Sequence, residues 1–420
     1  MAGPKVLCFY LAKREHYRPV IFSPAEVFVS PDCEDTADQD GVHTLRAPSA
    51  SYDVAEILAR LPAEQHPELV VVKADASLAN IPRRLDRLSC PKILILGDTH
   101  HMPRPIRRLI DYAFEERFDR IVTDCDRQHL HFFREAGFER VHWLPHLAWR
   151  PNWREPAAAP VEDAVFIGQT GLLHPWRLHV LGRVAAAGLP LLVTRAKQDD
   201  AADIYSRARV TLNCSLNGDL NLRIFEVLSA GGFLLTDRLA AAAGLGRLLE
   251  EGRHYAAWGD ADELIEKTRF YLDDAAAATA IRHAGRRHLE AVFHPDLQRR
   301  RFFDLVDGRE DPMFTLDDEP RCQVVVAPAR ERLFTRVAIY ERLQDLHRAA
   351  SVLRLFSPSL AGPTALDAGD LWRGRPHSHA DLARHAAEPA AFASFDRTVP
   401  AIEHVLALDG GEADPDAALA

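Results

Sequence analysis

The segment NCSLNGDLNLRIFEVLSAGGFLLTD, from Asn213 to Asp237, gathers the residues best suited to grip an anion. Its pattern predicts a strand, a polar loop, a helix, Gly-Gly and another strand. A helix opening near Leu220 to Leu222 presents unpaired first-turn amides and the positive end of its dipole, which suits a phosphate. Asn217, Asp219 and Asn221 lie where caps and loop contacts arise. Arg223 offers the planar fork of donors that a diphosphate accepts in bidentate fashion and that lysine does not supply. Glu226, at i+3, shares its face and could take hydrogen bonds from two adjacent ribose hydroxyls. Gly231 and Gly232 permit positive φ and close backbone approach. Spacing alone equally admits a solvated helix with an Arg–Glu pair and an ordinary glycine C-cap.

A second cluster is ILILGDTHHMPRPI, where an apolar run from Lys92 to Leu96 ends in Gly97, Asp98, Thr99, His100 and His101. Strand carboxyl ends face the ligand crevice in doubly wound folds. Asp98, His100 and His101 are therefore the candidate catalytic residues, as bases for an acceptor hydroxyl or as hydrogen-bond partners of a sugar. The competing reading is a loop in which Asp98 caps the next helix and the histidines are solvated. His129 and His131 beside Asp124 and Asp126 are not read as a metal site, since i,i+2 residues on a helix point apart. Arg195 and Lys197 are read as loop residues able to touch a diphosphate, and Arg299 to Arg301 as a wet helix face.

These groups need a scaffold, and the first half alternates short β-branched runs with helical stretches, the pattern of a parallel sheet covered on both faces. The expected strands are Lys5 to Tyr10, Leu69 to Val72, Lys92 to Leu96, Arg120 to Thr123 and Val141 to Leu144. Helices are expected over Tyr52 to Leu61, Ile106 to Glu116 and Asp126 to Glu135. From Pro145 to Pro160, proline and alanine replace periodicity, which predicts a linker. A second alternation follows, with strands at Ala164 to Ile167, Leu191 to Val193, Val210 to Asn213 and Phe233 to Thr236. Its helices are Trp176 to Ala187, Ala201 to Arg207, Leu222 to Ala230, Ala261 to Leu272 and Ala275 to Val292. The expected fold class is α/β: two Rossmann-like doubly wound domains, 1–150 and 160–307, facing a cleft. Residues 308–420 form a partly helical extension, with a strand at Gln323 to Val326, a helix over Arg330 to Leu355, and a composition after Ser357 consistent with disorder.

RIFEVLSAGGFLLTD resembles the R-x-F-E-x-x-A-x-G-x-x-x-x-T-D signature of the glycosyltransferases related to the spore-maturation protein CgeB. FIGQTGLLHPWR and YSRARVTLNCSLN are similar to that family's upstream pieces, in the same order. The likeness covers residues 160–305 well and 90–150 loosely. It implies a GT-B enzyme, and Gly168, Arg177, Asn213, Arg223, Phe225, Glu226, Gly231 and Asp237 fall on its pattern; the expected donor-binding residues are Gly168, Arg177, Asn213, Asp219, Asn221, Arg223, Glu226, Gly231 and Gly232. The broader retaining GT-B pattern has a second glutamate eight positions before the first; here that position is Gly218, with Asp219 beside it.

The 51 Lys+Arg against 61 Asp+Glu leave a net charge of −10, so nucleic acid is not an expected partner. No apolar stretch reaches the roughly 18 residues of a membrane span. The N-terminus lacks the features of a secretory signal, and six scattered cysteines fit reduced thiols in a cytoplasm. The sequence-based expectation is a cytoplasmic, metal-independent, cofactor-free transferase. It takes a nucleotide diphosphate sugar as donor and a hydroxyl-bearing acceptor of unspecified kind. A silent nucleotide-sugar-binding protein and a sugar-nucleotide epimerase are the alternatives.

Overall fold

The computed structural model describes residues 3–316 apart from 11–25, 40–41, 76, 79, 100–104, 125, 148, 150, 158–159, 171–174, 197, 216–217 and 315. These residues form two compact units, one of residues up to 149 with 298–316 and one of 151–297.

The first unit contains β1 (Val6–Tyr10), β2 (Glu26–Ser30), β3 (Thr36–Gln39), β4 (Val42–Arg46), β5 (Ala50–Asp53), α1 (Val54–Leu58), β6 (Leu69–Ala74) and β7 (Asn80–Arg83). It continues with β8 (Lys92–Leu96), α2 (Pro105–Glu115), β9 (Arg120–Thr123), α3 (Leu130–Glu135) and β10 (Val141–Trp143). Its main sheet has the order β10-β9-β8-β6-β1-β2-β4-β3, parallel except for the β3–β4 edge. Continuous apolar runs such as Val70, Val71 and Val72 sit at its centre because both faces are buried there. Helix α2 forms because Ile106, Leu109, Ile110 and Ala113, at helical spacing, are all fully buried.

Two expected helices differ. Tyr52 and Asp53 belong to β5, which pairs in parallel with β7, so the helix starts only at Val54 with Asp53 capping it through the Ala55 amide. The expected helix from Asp126 begins as a 3-10 turn at Arg127–His129 and becomes α-helical at Leu130, because the Asp126 carboxylate is engaged by Thr99. Strands β2, β3, β4, β5 and β7 were not expected from the sequence.

The second unit contains β11 (Glu162–Ile167), α4 (Pro175–Ala186), β12 (Leu191–Thr194), α5 (Gln198–Arg207), β13 (Ala208–Leu212), α6 (Leu222–Ser229) and β14 (Leu234–Asp237). Then come α7 (Leu245–Leu248), β15 (Ala256–Trp258), α8 (Ala261–Asp273), α9 (Ala275–Phe293) and the first residues of α10 (Pro295–Val306). The sheet is wholly parallel, in the order β12-β11-β13-β14-β15. Phe166, Val180, Leu181, Val193, Val210, Phe233 and Trp258 are among its buried core. The order of winding reverses at β11, with β12 added on one side and β13 on the other, so the carboxyl ends of β11 and β13 flank the topological switch point where doubly wound sheets bind ligands.

The expected linker is only partly one. Residues 151–157 lack regular structure but are fastened to the second unit: Arg154 N donates to Ser229 O at 3.1 Å and Ala157 N to Ser206 O at 3.0 Å. Arg286, on α9, lies over the Trp153 ring at 4.4 Å and donates to Arg154 O at 3.1 Å. The second unit also closes before 307. From Gln298, which donates to Pro145 O at 3.0 Å, α10 belongs to the first unit. Of the basic run, Arg301 is not a wet residue: it pairs with Asp311 at 2.7 Å and covers the Phe314 ring at 4.8 Å. The strand and helix expected after 320 lie outside the described residues.

Candidate active site

Helix α6 exists because Ile224, Phe225, Val227 and Leu228 are fully buried along one side. That burial leaves Arg223 and Glu226 on the partly exposed side. Asn221 is the N-cap, with extended backbone, yet its side chain caps nothing. Both its Oδ1 and Nδ2 are buried without a hydrogen-bond partner among the described residues, a costly arrangement unless something else satisfies them.

Arg223 leaves the first turn of α6 and reaches the switch point. Its Nη1 donates to Asn213 Oδ1 at 2.7 Å, and Cζ lies 4.5 Å from the centre of the Phe166 ring. The fork occupies space left by Gly168: a Cβ there would stand 3.1 Å from Arg223 Cζ and closer still to Nη2. Gly168 thus leaves the room that the fork occupies.

Asn213 and Arg177, expected on the donor side, are both engaged within the protein. Asn213 is buried, donating to Thr236 Oγ1 at 2.9 Å while accepting from Arg223. Its role is to aim Arg223. Arg177 is buried and donates to Cys214 O at 2.8 Å and Gln169 O at 3.3 Å, tying together the loops that follow β13 and β11. Burial, and then the nearby Arg223 charge, pull the Arg177 guanidinium below its ordinary range.

Acidic groups surround this pair. Burial pushes the Glu226 carboxyl up, with Arg223 opposing. Asp237, at the end of β14, is likewise pushed up by burial although it accepts from Ser215 N at 2.9 Å and from the Ser215 hydroxyl. Asp219 is buried before α6, and its charge acts on both Arg177 and Asp237. Burial also holds the Tyr205 hydroxyl and the Cys214 thiol in their neutral forms.

The glycine pair does not form part of this cluster. Gly231, at φ +67, lies against Pro156, and a Cβ there would meet its ring atoms at 2.9 Å. A Cβ on Gly232 would meet Tyr205 O and Val227 Cγ1 at 2.9 Å. Both are required by packing where α6 turns into β14. Asn217 and Lys197 lie outside the described residues. Asp199 is paired with Arg154 at 3.4 Å.

In the first unit, Asp98 stands half-buried just beyond the carboxyl end of β8. His100 and His101 lie outside the described residues. Thr99 is anchored: its amide donates to Asp126 Oδ2 at 2.8 Å, its hydroxyl to the same oxygen at 2.7 Å, and His129 Nδ1 lies 2.5 Å from that hydroxyl. Asp124 forms an ion pair with Lys73 of β6. Among the described residues, no group of three or more His, Cys, Asp or Glu side chains is arranged to hold a metal ion. Nor is any helix among them long and apolar enough to cross a membrane.

Residues 167–302 match the family model described as glycosyl transferase-like. No curated protein matches the chain. Among solved structures, HepE of Anabaena in complex with UDP and glucose superposes with a TM-score of 0.52 at 11% identity, covering 73% of this chain and 100% of that one. A glycosyltransferase from Rickettsia africae gives a TM-score of 0.50 at 9% identity, covering 73% of this chain and 98% of that one. The fold is GT-B. The matched module begins at the last residue of β11 and takes in Arg223 and Glu226.

Proposed function

We propose that this chain is a glycosyltransferase that moves a sugar from a nucleotide diphosphate sugar to a hydroxyl-bearing acceptor. One observation carries the reading. At the switch point of the second sheet, Arg223 is held beside the opening turn of α6, whose N-cap Asn221 keeps two buried polar atoms unmatched. A diphosphate at this place would meet the guanidinium, the first-turn amides and the Asn221 amide group. Glu226 would take hydrogen bonds from the ribose diol, restoring polar contact to a carboxyl that burial otherwise disfavours as an anion.

In the reaction, the acceptor oxygen attacks the anomeric carbon, forming the new glycosidic C–O bond. The bond from that carbon to the diphosphate breaks, and its electron pair leaves with the diphosphate. The acceptor proton passes to a base, for which Asp98 is our candidate within the described residues, with His100 and His101 beside it in sequence. Negative charge grows on the departing diphosphate, so cationic and helix-dipole stabilisation there accelerates transfer without a metal ion or resident cofactor. We retain the resemblance to the CgeB-related enzymes on residues 160–305 and place the reaction in the cytoplasm. UDP is the first nucleotide to try, because HepE, which shares the fold, was captured with it.

The test is release of nucleoside diphosphate from UDP-, GDP-, ADP- and dTDP-sugars by the purified chain with acceptor panels. Arg223→Ala should lose about 10²-fold in turnover, the usual scale for removing one donor to a developing charge. Equal turnover by the variant would remove Arg223 from the mechanism. Donor binding without consumption across the panel would identify a silent binding protein instead.

A further inference from the structure

Beyond the carboxyl end of β8 the first unit keeps three polar side chains almost wholly out of water. Thr99, Asp126 and His129 are each at most 1% exposed, which is costly for such groups unless they satisfy one another. They do so in a chain. Asp126 Oδ2 accepts from the Thr99 amide at 2.8 Å and from the Thr99 hydroxyl at 2.7 Å. A carboxylate only accepts, so the hydroxyl hydrogen is spent there; the oxygen's lone pairs then face His129 Nδ1, 2.5 Å away, which carries the next hydrogen. This clasp joins the loop after β8 to the turn after β9, across 27 residues of sequence.

The residue that the clasp immobilises is Asp98. One position earlier, the Gly97 amide donates to Ala74 O of β6 at 2.8 Å, and a Cβ on Gly97 would stand 3.3 Å from Asp75 Cβ. One position later, the Thr99 N–H lies in the same planar peptide group as the Asp98 Cα, so its bond to Asp126 fixes that plane. The chain is therefore held on both sides of Asp98.

Resting on the reading of Asp98 as the acceptor base, we propose that Asp126 and Thr99 are positioning residues that hold Asp98 at the end of β8 before an acceptor arrives. A loop left loose would have to be ordered at each encounter, and a misplacement of about 1 Å is enough to lose most of a group's effect on the rate. Asp126 and Thr99 act through Asp98, so their contribution to turnover exists only while Asp98 is present.

Double-mutant cycles on the full chain test this. Nucleoside diphosphate release is followed with UDP-, GDP-, ADP- and dTDP-sugars and acceptor panels, and the best pair is used for Thr99→Val, Thr99→Ser, Asp126→Asn and Asp98→Asn. Thr99→Val and Asp126→Asn are also each combined with Asp98→Asn, and melting temperatures are recorded alongside. Thr99→Val should lower kcat about tenfold and leave the donor KM within about twofold of wild type, because Arg223 and Glu226 belong to the other unit. Thr99→Ser, which keeps the hydroxyl, should retain wild-type kcat. Asp126→Asn keeps the volume and an acceptor oxygen, so it should show the same pattern with a smaller factor, and it carries the test if Thr99→Val does not fold. In the Asp98→Asn background neither substitution should cause a further loss. A clasp that served only the fold would lower turnover by the same factor in both backgrounds, and that result would overturn the proposal while leaving Asp98 as the base. Wild-type kcat in both Thr99→Val and Asp126→Asn would overturn it likewise. Wild-type turnover by Asp98→Asn would remove the base and this proposal together without touching the donor site, whereas no release by the wild type would overturn the transferase reading as well.

Discussion

Gly168→Ala changes no group that could contact a ligand, yet it should disable the donor site. The added Cβ would sit 3.1 Å from Arg223 Cζ, inside the 3.4 Å at which ordinary contact begins, and nearer still to Nη2. The guanidinium must therefore back away by about 1 Å, enough by itself to cost about 10²-fold in rate. A shift of that size stretches the 2.7 Å bond to Asn213 to about 3.7 Å, beyond hydrogen-bonding range. The lost charged hydrogen bond corresponds to about 1.5–3 kcal/mol, or roughly one to two decades of rate. Backbone strain adds a separate stability cost of about 1–3 kcal/mol, because residue 168 sits at φ +156. The assay pairs nucleoside diphosphate release and UDP titration with thermal melts, for Gly168→Ala alone and combined with Arg223→Ala. In the combined variant both close contacts to Arg223 are gone and the next atom, Phe166 Cε1, lies at an ordinary 3.4 Å, so the alanine should add no functional loss. Donor affinity and turnover within about threefold of wild type in Gly168→Ala would refute the placement of the guanidinium over this glycine. So would an undiminished functional penalty in the Arg223→Ala background.

Two further predictions concern carboxylates with opposite shifts. Glu226 is pushed up by burial, so folding favours its protonated form; that contribution is present below the unfolded carboxylate range and is lost as pH rises through the folded value. Glu226→Gln should therefore melt at an equal or higher temperature than wild type at neutral pH, converge with it in acid, and bind nucleoside diphosphates more weakly; a lower neutral melting temperature would contradict the sign. Glu263 is pulled down to about 2, first by hydrogen bonding to Arg238 and then by Lys267. Its contribution is present above the unfolded value of about 4.3 and is lost as pH falls toward the folded one. Glu263→Gln should lower the melting temperature at neutral pH and flatten its decline between about pH 5 and about pH 2; unchanged acid melts would show that the pair is only a surface ornament.

How much could be read in advance depended on how local each signal was. The runs Lys92 to Leu96 and Arg120 to Thr123 are strands with the expected ends, because continuous burial makes them apolar throughout. Strand β4 reads Val-His-Thr-Leu-Arg, and β15 has only three residues, Ala-Ala-Trp. Neither carries a usable period, and both depend on partners distant in sequence. Tyr52 was misread for the same reason: its pairing with Pro82 lies across 30 residues. At the site, the helix opening at Leu222 and the nearness of Arg223 and Glu226 followed from i,i+3 spacing. Which arginine faces the switch point did not. Arg177 and Arg223 look alike as letters, and only the carbonyls of Cys214 and Gln169 show that one of them is consumed internally.

The seam along residues 151–157 decides where an independently expressed second half has to begin. A fragment cut at Pro160, where the proline-alanine stretch ends, would strip Trp153, Arg154 and Glu155 from Arg286, a residue only 7% exposed in the intact chain. It would also uncover Gly231 beneath Pro156. Such a fragment would carry a solvent-facing scar directly behind α6. Starting at Pro151 keeps that surface sealed.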